Sequence, residues 1–135
     1  MPRLGLQAVK EIVDTLARMI GAPDDILPTY GVSEQSGRPH IEVSQVYHYA
    51  MAERGKEFSR KFIAELDLFL YWVFADVTSQ MAGRHDLQNR RPDEDSRRQR
   101  FAKQSELMGA ISWDWAVKMR AEHAGILILH PFQDY

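Results

Sequence analysis

Cysteine is absent from this chain of 135 residues. Its absence excludes a disulfide framework, a thiol nucleophile and a cysteine-ligated metal site, and it fits a reducing compartment. No apolar run approaches the length of a membrane-spanning helix. The N-terminal segment has neither the unbroken apolar core nor the small-residue cleavage site of a secretory signal. These absences predict a cytoplasmic protein with no membrane partner.

A large excess of charge of either sign is also lacking. The chain has 17 Lys and Arg against 19 Asp and Glu, a formal net charge of −2, so no overall field favours nucleic acid or an anionic membrane as a partner. Hydrophobic residues make up 44% and charged residues 27% of the chain, which is ordinary for a globular protein. At this length we expect a single domain spanning residues 1–135, large enough to bury a core without disulfides or metals.

The N-terminal third predicts one helix followed by short strands. Apolar residues recur at helical spacing between Val9 and Ile20, so we expect a helix from about residue 4 to residue 20 that is ended by Gly21 and Pro23. The sequence SEQSGRP separates the first two of three strand candidates with turn-forming residues. The three candidates are residues 30–33, 40–43 and 46–53.

The third strand candidate is predicted to form a β-hairpin with the residues that follow it. Arg54 and Gly55 make a two-residue turn, in which Gly55 supplies the positive φ. This register gathers apolar side chains on one face of the sheet, and a slip of one residue would scatter them. The facing pairs expected are Glu53 with Lys56, Met51 with Phe58, Tyr49 with Arg60 and Tyr47 with Phe62.

Three helices are predicted after the hairpin. Residues 66–81 are apolar almost all round, which is typical of a central helix. Asp93, Glu94 and Asp95 favour the start of the next helix, and Ser112 is a candidate N-cap for the last one. The last helix has a main apolar stripe and a second one that we expect to be buried. The main stripe is Trp113, Ala116, Val117, Ala124, Leu127 and Ile128, and the second is Trp115, Met119 and Ile126.

This order of elements predicts an α+β fold. We expect a small antiparallel sheet of three to four strands, packed on one face by about four helices.

Catalytic, metal and cofactor sites are not predicted. The five histidines form no HExxH motif and no i, i+4 pair, whereas a metal site needs three or four converging ligands. Asp67 and Asp76 lie about 13 Å apart along one helix by its rise per residue, too far for paired acid–base work. No nucleophile-elbow motif supports a triad of Ser59, His85 and Asp86.

An arginine cluster between Arg90 and Arg100 has two interpretations. It contains Arg90, Arg91, Arg97, Arg98 and Arg100. A basic face here would bind phosphate, and thus RNA. Acidic residues alternate with these arginines, and mixed charge is typical of solvated helix ends joined by ion pairs. The second interpretation is favoured.

Four segments of the chain resemble the immunity protein 63 family of bacterial polymorphic-toxin systems. They are YHYAMAERGKEF at residues 47–58, LDLFLYWVFADVTSQMA at 66–82, RRQRFAKQSELMGAI at 97–111 and WAVKMRAEHAGILILHPF at 115–132. The resemblance implies an α+β fold and a small cytoplasmic antidote that binds the effector domain of a cognate toxin tightly, without catalysis and without a cofactor.

We therefore expect a non-enzymatic immunity protein that neutralises a toxin by occluding its active site or a nearby surface. The predicted protein-binding residues are His48, Glu53, Arg54 and Asp114, polar groups on rigid elements beside aromatic residues. The sequence is compatible with a homo-oligomer. Two alternatives remain. One is a small enzyme and the other an RNA-binding module that uses the arginine cluster. The enzyme site would lie among Tyr47, His48, Tyr49, Glu53 and Arg60.

Overall fold

The computed structural model describes residues 4–135. It confirms the α+β class, with four helices, four strands and one short 3₁₀ turn in this range. In chain order the elements are α1 (Leu6–Ile20), the 3₁₀ turn (Asp24–Ile26), β1 (Thr29–Tyr30), β2 (His40–Val43), β3 (Tyr47–Glu53), β4 (Lys56–Ile63), α2 (Leu66–Gln88), α3 (Ser96–Ile111) and α4 (Trp113–Leu129).

The four strands form one mixed sheet in the order β1-β2-β3-β4. The pairs β2–β3 and β3–β4 are antiparallel, as expected, whereas β1 pairs with β2 in parallel. The loop between β1 and β2 reverses the chain twice, with positive φ at Gly31 and Gly37. Glycine adopts this backbone region without a steric penalty. The parallel pairing thus needs only a short loop.

The β3–β4 hairpin confirms the predicted turn but not the predicted register. Gly55 has a φ of 78°, and Glu53 pairs with Lys56. The prediction that Met51 pairs with Phe58 is wrong, because Met51 pairs with Ser59 and the register shifts between Met51 and Ala52. An extra residue in β4 forms a β-bulge there, and every later pair moves by one position. Tyr47 accordingly pairs with Ile63 and Tyr49 with Lys61.

Contacts divide the chain into two compact units, residues 1–73 and 74–135. In the first unit, α1 packs against β2 and ends at Gly21, whose left-handed backbone closes the helix. The core of this unit joins α1, the sheet and the start of α2. Its buried side chains include Val9, Val13, Ile41, Tyr47, Tyr49 and Phe69. The rings of Tyr47 and Phe69 lie 5.3 Å apart.

In the second unit, α3 packs against α4. A Cβ atom at Gly109 would lie 3.3 Å from the Cβ of Ala116, so glycine allows a close approach of the two helices. Both predicted helix starts are confirmed: Asp95 accepts a hydrogen bond from the N–H of Arg97, and Ser112 accepts one from the N–H of Trp115. These caps satisfy backbone donors that have no partner within the helix.

The face of α4 that is buried differs in part from the expectation. Trp115 and Met119 of the second stripe are buried as predicted, but the prediction is wrong for its third member, Ile126, which is 44% exposed. Most of the predicted main stripe is exposed instead, with Trp113 74% and Ile128 80% accessible. Phe74 stacks on Trp115 with a centroid distance of 6.1 Å. This contact places the Trp115 face inward, and Trp113 therefore lies in solvent.

Candidate functional site

An arginine on the hairpin organises a polar network in the first unit. Arg60 on β4 donates hydrogen bonds to Glu42 Oε2 at 2.8 Å, to Glu57 Oε1 at 2.5 Å and to His48 Nδ1 at 3.0 Å. Glu42 also pairs with Nε2 of His40 at 2.7 Å. We call these five residues (His40, Glu42, His48, Glu57 and Arg60) the Arg60 network. Its bonds connect three adjacent strands and fix the guanidinium in one orientation.

Electrostatics reinforce this network. The hydrogen bond from Arg60 lowers the pKa of Glu42, and another lowers the pKa of Glu57. The two carboxylates raise the pKa of Arg60 above its ordinary value, with Glu57 as the larger cause. Charge-assisted bonds of this kind are short and directional. All three groups therefore stay ionised at neutral pH.

The network lies on the face of the sheet opposite Tyr47 and Tyr49, because side chains alternate along a strand. We call this face the outer face. One exposed phenylalanine on β4 borders the network: Phe62 is 63% exposed. A second, Phe58, is 57% exposed and lies nearer the hairpin tip, where it lines a surface pocket with Glu53, Arg54 and Lys56. The ring of Phe62 lies 5.9 Å from that of His48. Oriented charges and accessible aromatic rings thus occur side by side.

The predicted site residues Glu53 and Arg54 lie at the hairpin tip, and both are exposed. Arg54 has a φ of 52°, and Gln35 in the facing loop has a φ of 58°. These two are the non-glycine residues with positive φ in the described chain. They are hydrogen-bonded to each other, since the N–H of Arg54 donates to the Gln35 carbonyl at 3.2 Å. Backbone strain of this kind persists only where its surroundings enforce it, and it clusters at functional sites.

The fourth predicted residue, Asp114, lies in the second unit. It is an exposed residue in the first turn of α4, where the helix dipole favours a carboxylate. Its neighbour Trp113 is the exposed tryptophan described above. The structure thus joins His48 to Arg60 and places Glu53 next to Arg54, and Asp114 belongs to a separate exposed patch on α4.

The group proposed for an enzyme site does not converge. Tyr47 and Tyr49 are buried and face Phe69, whereas His48 and Arg60 lie on the outer face. Among residues 4–135, no cluster of three or more His, Asp or Glu is arranged to hold a metal ion.

The arginine cluster is tied to carboxylates, as its mixed charge suggested. Four of its arginines pair with an acidic side chain: Arg90 with Asp86, Arg91 with Glu94, Arg97 with Asp95 and Arg98 with Asp134. Arg97 also donates to the carbonyls of His130 and Pro131. The cluster therefore anchors the C-terminal residues to the start of α3, and its charge is largely neutralised.

Sequence reasoning missed most of the Arg60 network and both exposed phenylalanines. Glu42 is 18 residues from Arg60 in sequence and was treated only as part of a strand candidate. Phe62 was assigned to the buried face, because the predicted register had no bulge, and Phe58 was expected on that face opposite Met51. The alternation of charged and aromatic residues along β4 was the available signal. Among residues 4–135, no helix has both the length and the apolar character needed to cross a membrane.

Comparison with known families matches residues 44–125 to immunity protein 63. No curated protein and no solved structure matches the chain. The matched range covers more than half of the chain and contains the hairpin, α2, α3 and most of α4. This chain therefore belongs to the immunity protein 63 family, whose members are toxin-neutralising proteins, in general non-enzymatic inhibitors.

Proposed function

We propose that this protein neutralises its cognate toxin by non-covalent occlusion, with the outer face of the sheet as the main contact surface. The observation that carries the proposal is the position of the Arg60 network next to the exposed Phe62. A second exposed phenylalanine, Phe58, lies on the same strand nearer the hairpin tip. Interfaces that bind tightly concentrate their energy in aromatic and arginine anchors.

The network favours binding because it is already ordered. A free arginine side chain loses rotamer entropy when a partner immobilises it. Arg60 is held by Glu42, Glu57 and His48 before any partner arrives. Phe58 and Phe62 then supply apolar area that the toxin would remove from water.

The hairpin tip and the start of α4 complete the proposed contacts. Glu53 and Arg54 project from a turn whose strained backbone is enforced by the Gln35 loop. Asp114 projects beside Trp113 from the rigid first turn of α4. We propose Glu53 and Arg54 as charged contacts at the rim of the outer face, and Asp114 as a charged contact of its own patch on α4. Polar groups at an interface set specificity more than affinity. The bacterial cytoplasm is the proposed compartment.

Co-expression with the effector domain of the cognate toxin tests the proposal. We compare Phe58→Ser/Phe62→Ser with Met19→Ser/Val32→Ser, a matched control that also removes two exposed apolar side chains. The first pair should abolish protection of the host cell and weaken binding of the purified effector domain at least 100-fold. The control should protect fully.

Three results would contradict the proposal or part of it. Undiminished affinity in Phe58→Ser/Phe62→Ser would show that the toxin binds elsewhere. Alanine at His48, Glu53, Arg54 and Asp114 together should weaken binding at least tenfold, and full affinity in that variant would exclude these four residues as contacts. Failure of the unaltered protein to bind the effector domain would reject occlusion altogether.

A further inference from the structure

We propose that the outer edge of β4 pairs with an extended segment of the toxin domain, which adds a fifth strand to the sheet. This inference rests on the proposed function and specifies the partner's conformation at the same site. β4 is the last strand in the sheet order, so one of its two edges has no neighbouring strand in the described chain. At eight residues it is also the longest strand.

The pairing pattern shows which backbone groups point outward. A two-residue turn makes Glu53 and Lys56 a hydrogen-bonded pair. In keeping with this, the Ala52 carbonyl points to the opposite side of β3, where it accepts from the N–H of Gly37 at 3.0 Å. Backbone groups alternate in direction along antiparallel strands. The backbone groups of residues 47, 49 and 51 on β3 are therefore hydrogen-bonded to those of residues 63, 61 and 59 on β4, in that order.

It follows that Arg60 and Phe62 direct their backbone N–H and C=O groups away from β3, toward the free edge. Only an extended backbone satisfies such a row of alternating donors and acceptors, as in recognition by strand addition. The same two residues carry outer-face side chains, so an added strand would lie directly beside the Phe62 ring and the Arg60 network.

Natural edge strands are protected against chance pairing by lysines, bulges and charged side chains. β4 has a bulge and two lysines, Lys56 and Lys61. These features restrict pairing at its free edge to a partner strand that accommodates both the bulge and the charges. Its two exposed phenylalanines have the opposite effect, because exposed aromatic residues on an edge strand promote association. Protective charges together with exposed aromatic rings fit an edge strand that pairs with one specific partner and not with other strands by chance.

A second copy of this chain is a poorer occupant than the toxin. Antiparallel self-pairing centred on Arg60 would place Arg60 opposite Arg60, and centring it on Lys61 would place Lys61 opposite Lys61. Like charges in directly opposed positions destabilise a strand pair. A strand from the toxin, with apolar side chains on the outer face beside Phe62, avoids this repulsion.

Amide exchange measured residue by residue tests the pairing. In the free protein, the N–H groups of Arg60 and Phe62 should exchange at least 100-fold faster than those of Lys61 and Ile63, which bond to β3. In the complex with the effector domain they should slow to the rate of Lys61. If the complex forms while both amides still exchange as in the free protein, strand addition is wrong and occlusion by side chains stands. Protection of both amides in the free protein at high concentration would instead identify self-pairing and overturn the inference.

A pair of variants isolates the backbone contribution. Arg60→Ala and Arg60→Pro both remove the guanidinium, but only proline removes the outward N–H. Proline is tolerated on an edge strand where the N–H faces away from the sheet. The free proline variant should retain protection of the Lys61 and Ile63 amides, which confirms an intact hairpin. It should bind the effector domain at least tenfold more weakly than the alanine variant, and equal affinities would contradict strand addition.

Discussion

The guanidinium of Arg60 donates to Nδ1 of His48 at 3.0 Å. Since a guanidinium has no acceptor atom, Nδ1 must be the bare nitrogen, and the ring proton lies on Nε2. That nitrogen donates in turn to Oγ of Ser44 at 2.8 Å. The two bonds fix the tautomer and the plane of the imidazole, so the outer face presents oriented groups to a partner.

Replacement of Arg60 by lysine should separate binding from stability. Lysine carries the same charge but lacks the planar fork that reaches three acceptors at once. We expect at least a tenfold loss of affinity for the effector domain in calorimetric titration. Urea unfolding should show a stability loss below about 1 kcal/mol, because partly exposed ion pairs contribute little. Arg91→Lys, which alters a surface pair with Glu94, is the matched control and should change neither quantity.

Phe74 should be essential to the core. Its side chain is fully buried and stacks on Trp115. Phe74→Ala should lower the free energy of unfolding by about 3–5 kcal/mol, through lost transfer energy and the cavity left behind. Leu87→Ala near the exposed end of α2 serves as the control and should cost below about 0.5 kcal/mol. Equal losses in chemical denaturation would show that the burial of Phe74 is unimportant for stability.

The hairpin turn should respond oppositely to two neighbouring substitutions. Gly55→Val places a β-branched residue at positive φ, and it should destabilise the protein by about 1–2 kcal/mol. No atom lies within 4 Å of the added Cβ, so the cost comes from the backbone alone. Arg54→Asn should stabilise the protein by several tenths of a kcal/mol, since Asn-Gly is preferred in this turn. A thermal melt in which Arg54→Asn unfolds earlier would contradict the assignment.

Stability should fall between neutral and mildly acid pH because of His123. Burial lowers the pKa of this imidazole below its ordinary value of 6.5, against an opposing effect of Glu122. Its Nε2 is bonded to the buried Gln104 Oε1 at 2.8 Å. The unfolded chain takes up a proton on His123 as the pH falls through 6.5, whereas the folded protein takes it up only at a lower pH. Stability from this group is therefore complete above 6.5 and is lost as the pH drops toward the folded pKa.

Unfolding free energies measured from pH 7.5 to 5 test this dependence. His123→Gln should flatten the curve in that window, since glutamine does not titrate. A wild-type curve that rises toward acid pH would show that the sign is wrong.

We predict that residues 1–135 unfold as a single domain, although contacts define two units. Helix α2 runs from Leu66 to Gln88 and crosses the division between Val73 and Phe74. Unfolding of either unit would thus interrupt one continuous helix. Scanning calorimetry should give a single transition with matching calorimetric and van't Hoff enthalpies. Two resolved transitions would instead define two domains.

The sequence by itself determined those features that depend on neighbouring residues. Apolar spacing located α1 and α2, and Gly21, Gly55 and Ser112 marked a helix end, a turn and a helix start. Each signal acts within a few residues through local backbone sterics or a capping bond, so no knowledge of distant contacts was needed. The burial of Phe69, Leu70, Val73, Phe74 and Val77 in α2 likewise followed from a helix that is apolar all round.

Tertiary structure decided the choices between alternatives that are locally equivalent. The bulge in β4 moves the register by a single residue, and the packing of Tyr47 and Tyr49 on Phe69 fixes which face is inward. Helix α4 has apolar residues on several sides, and contact with Phe74 selects the Trp115 side. The Arg60 network also depends on strand order, since Glu42 and Arg60 meet only after β2, β3 and β4 have aligned. Because these contacts join residues far apart in sequence, local patterns could identify the elements but not the surface that they build together.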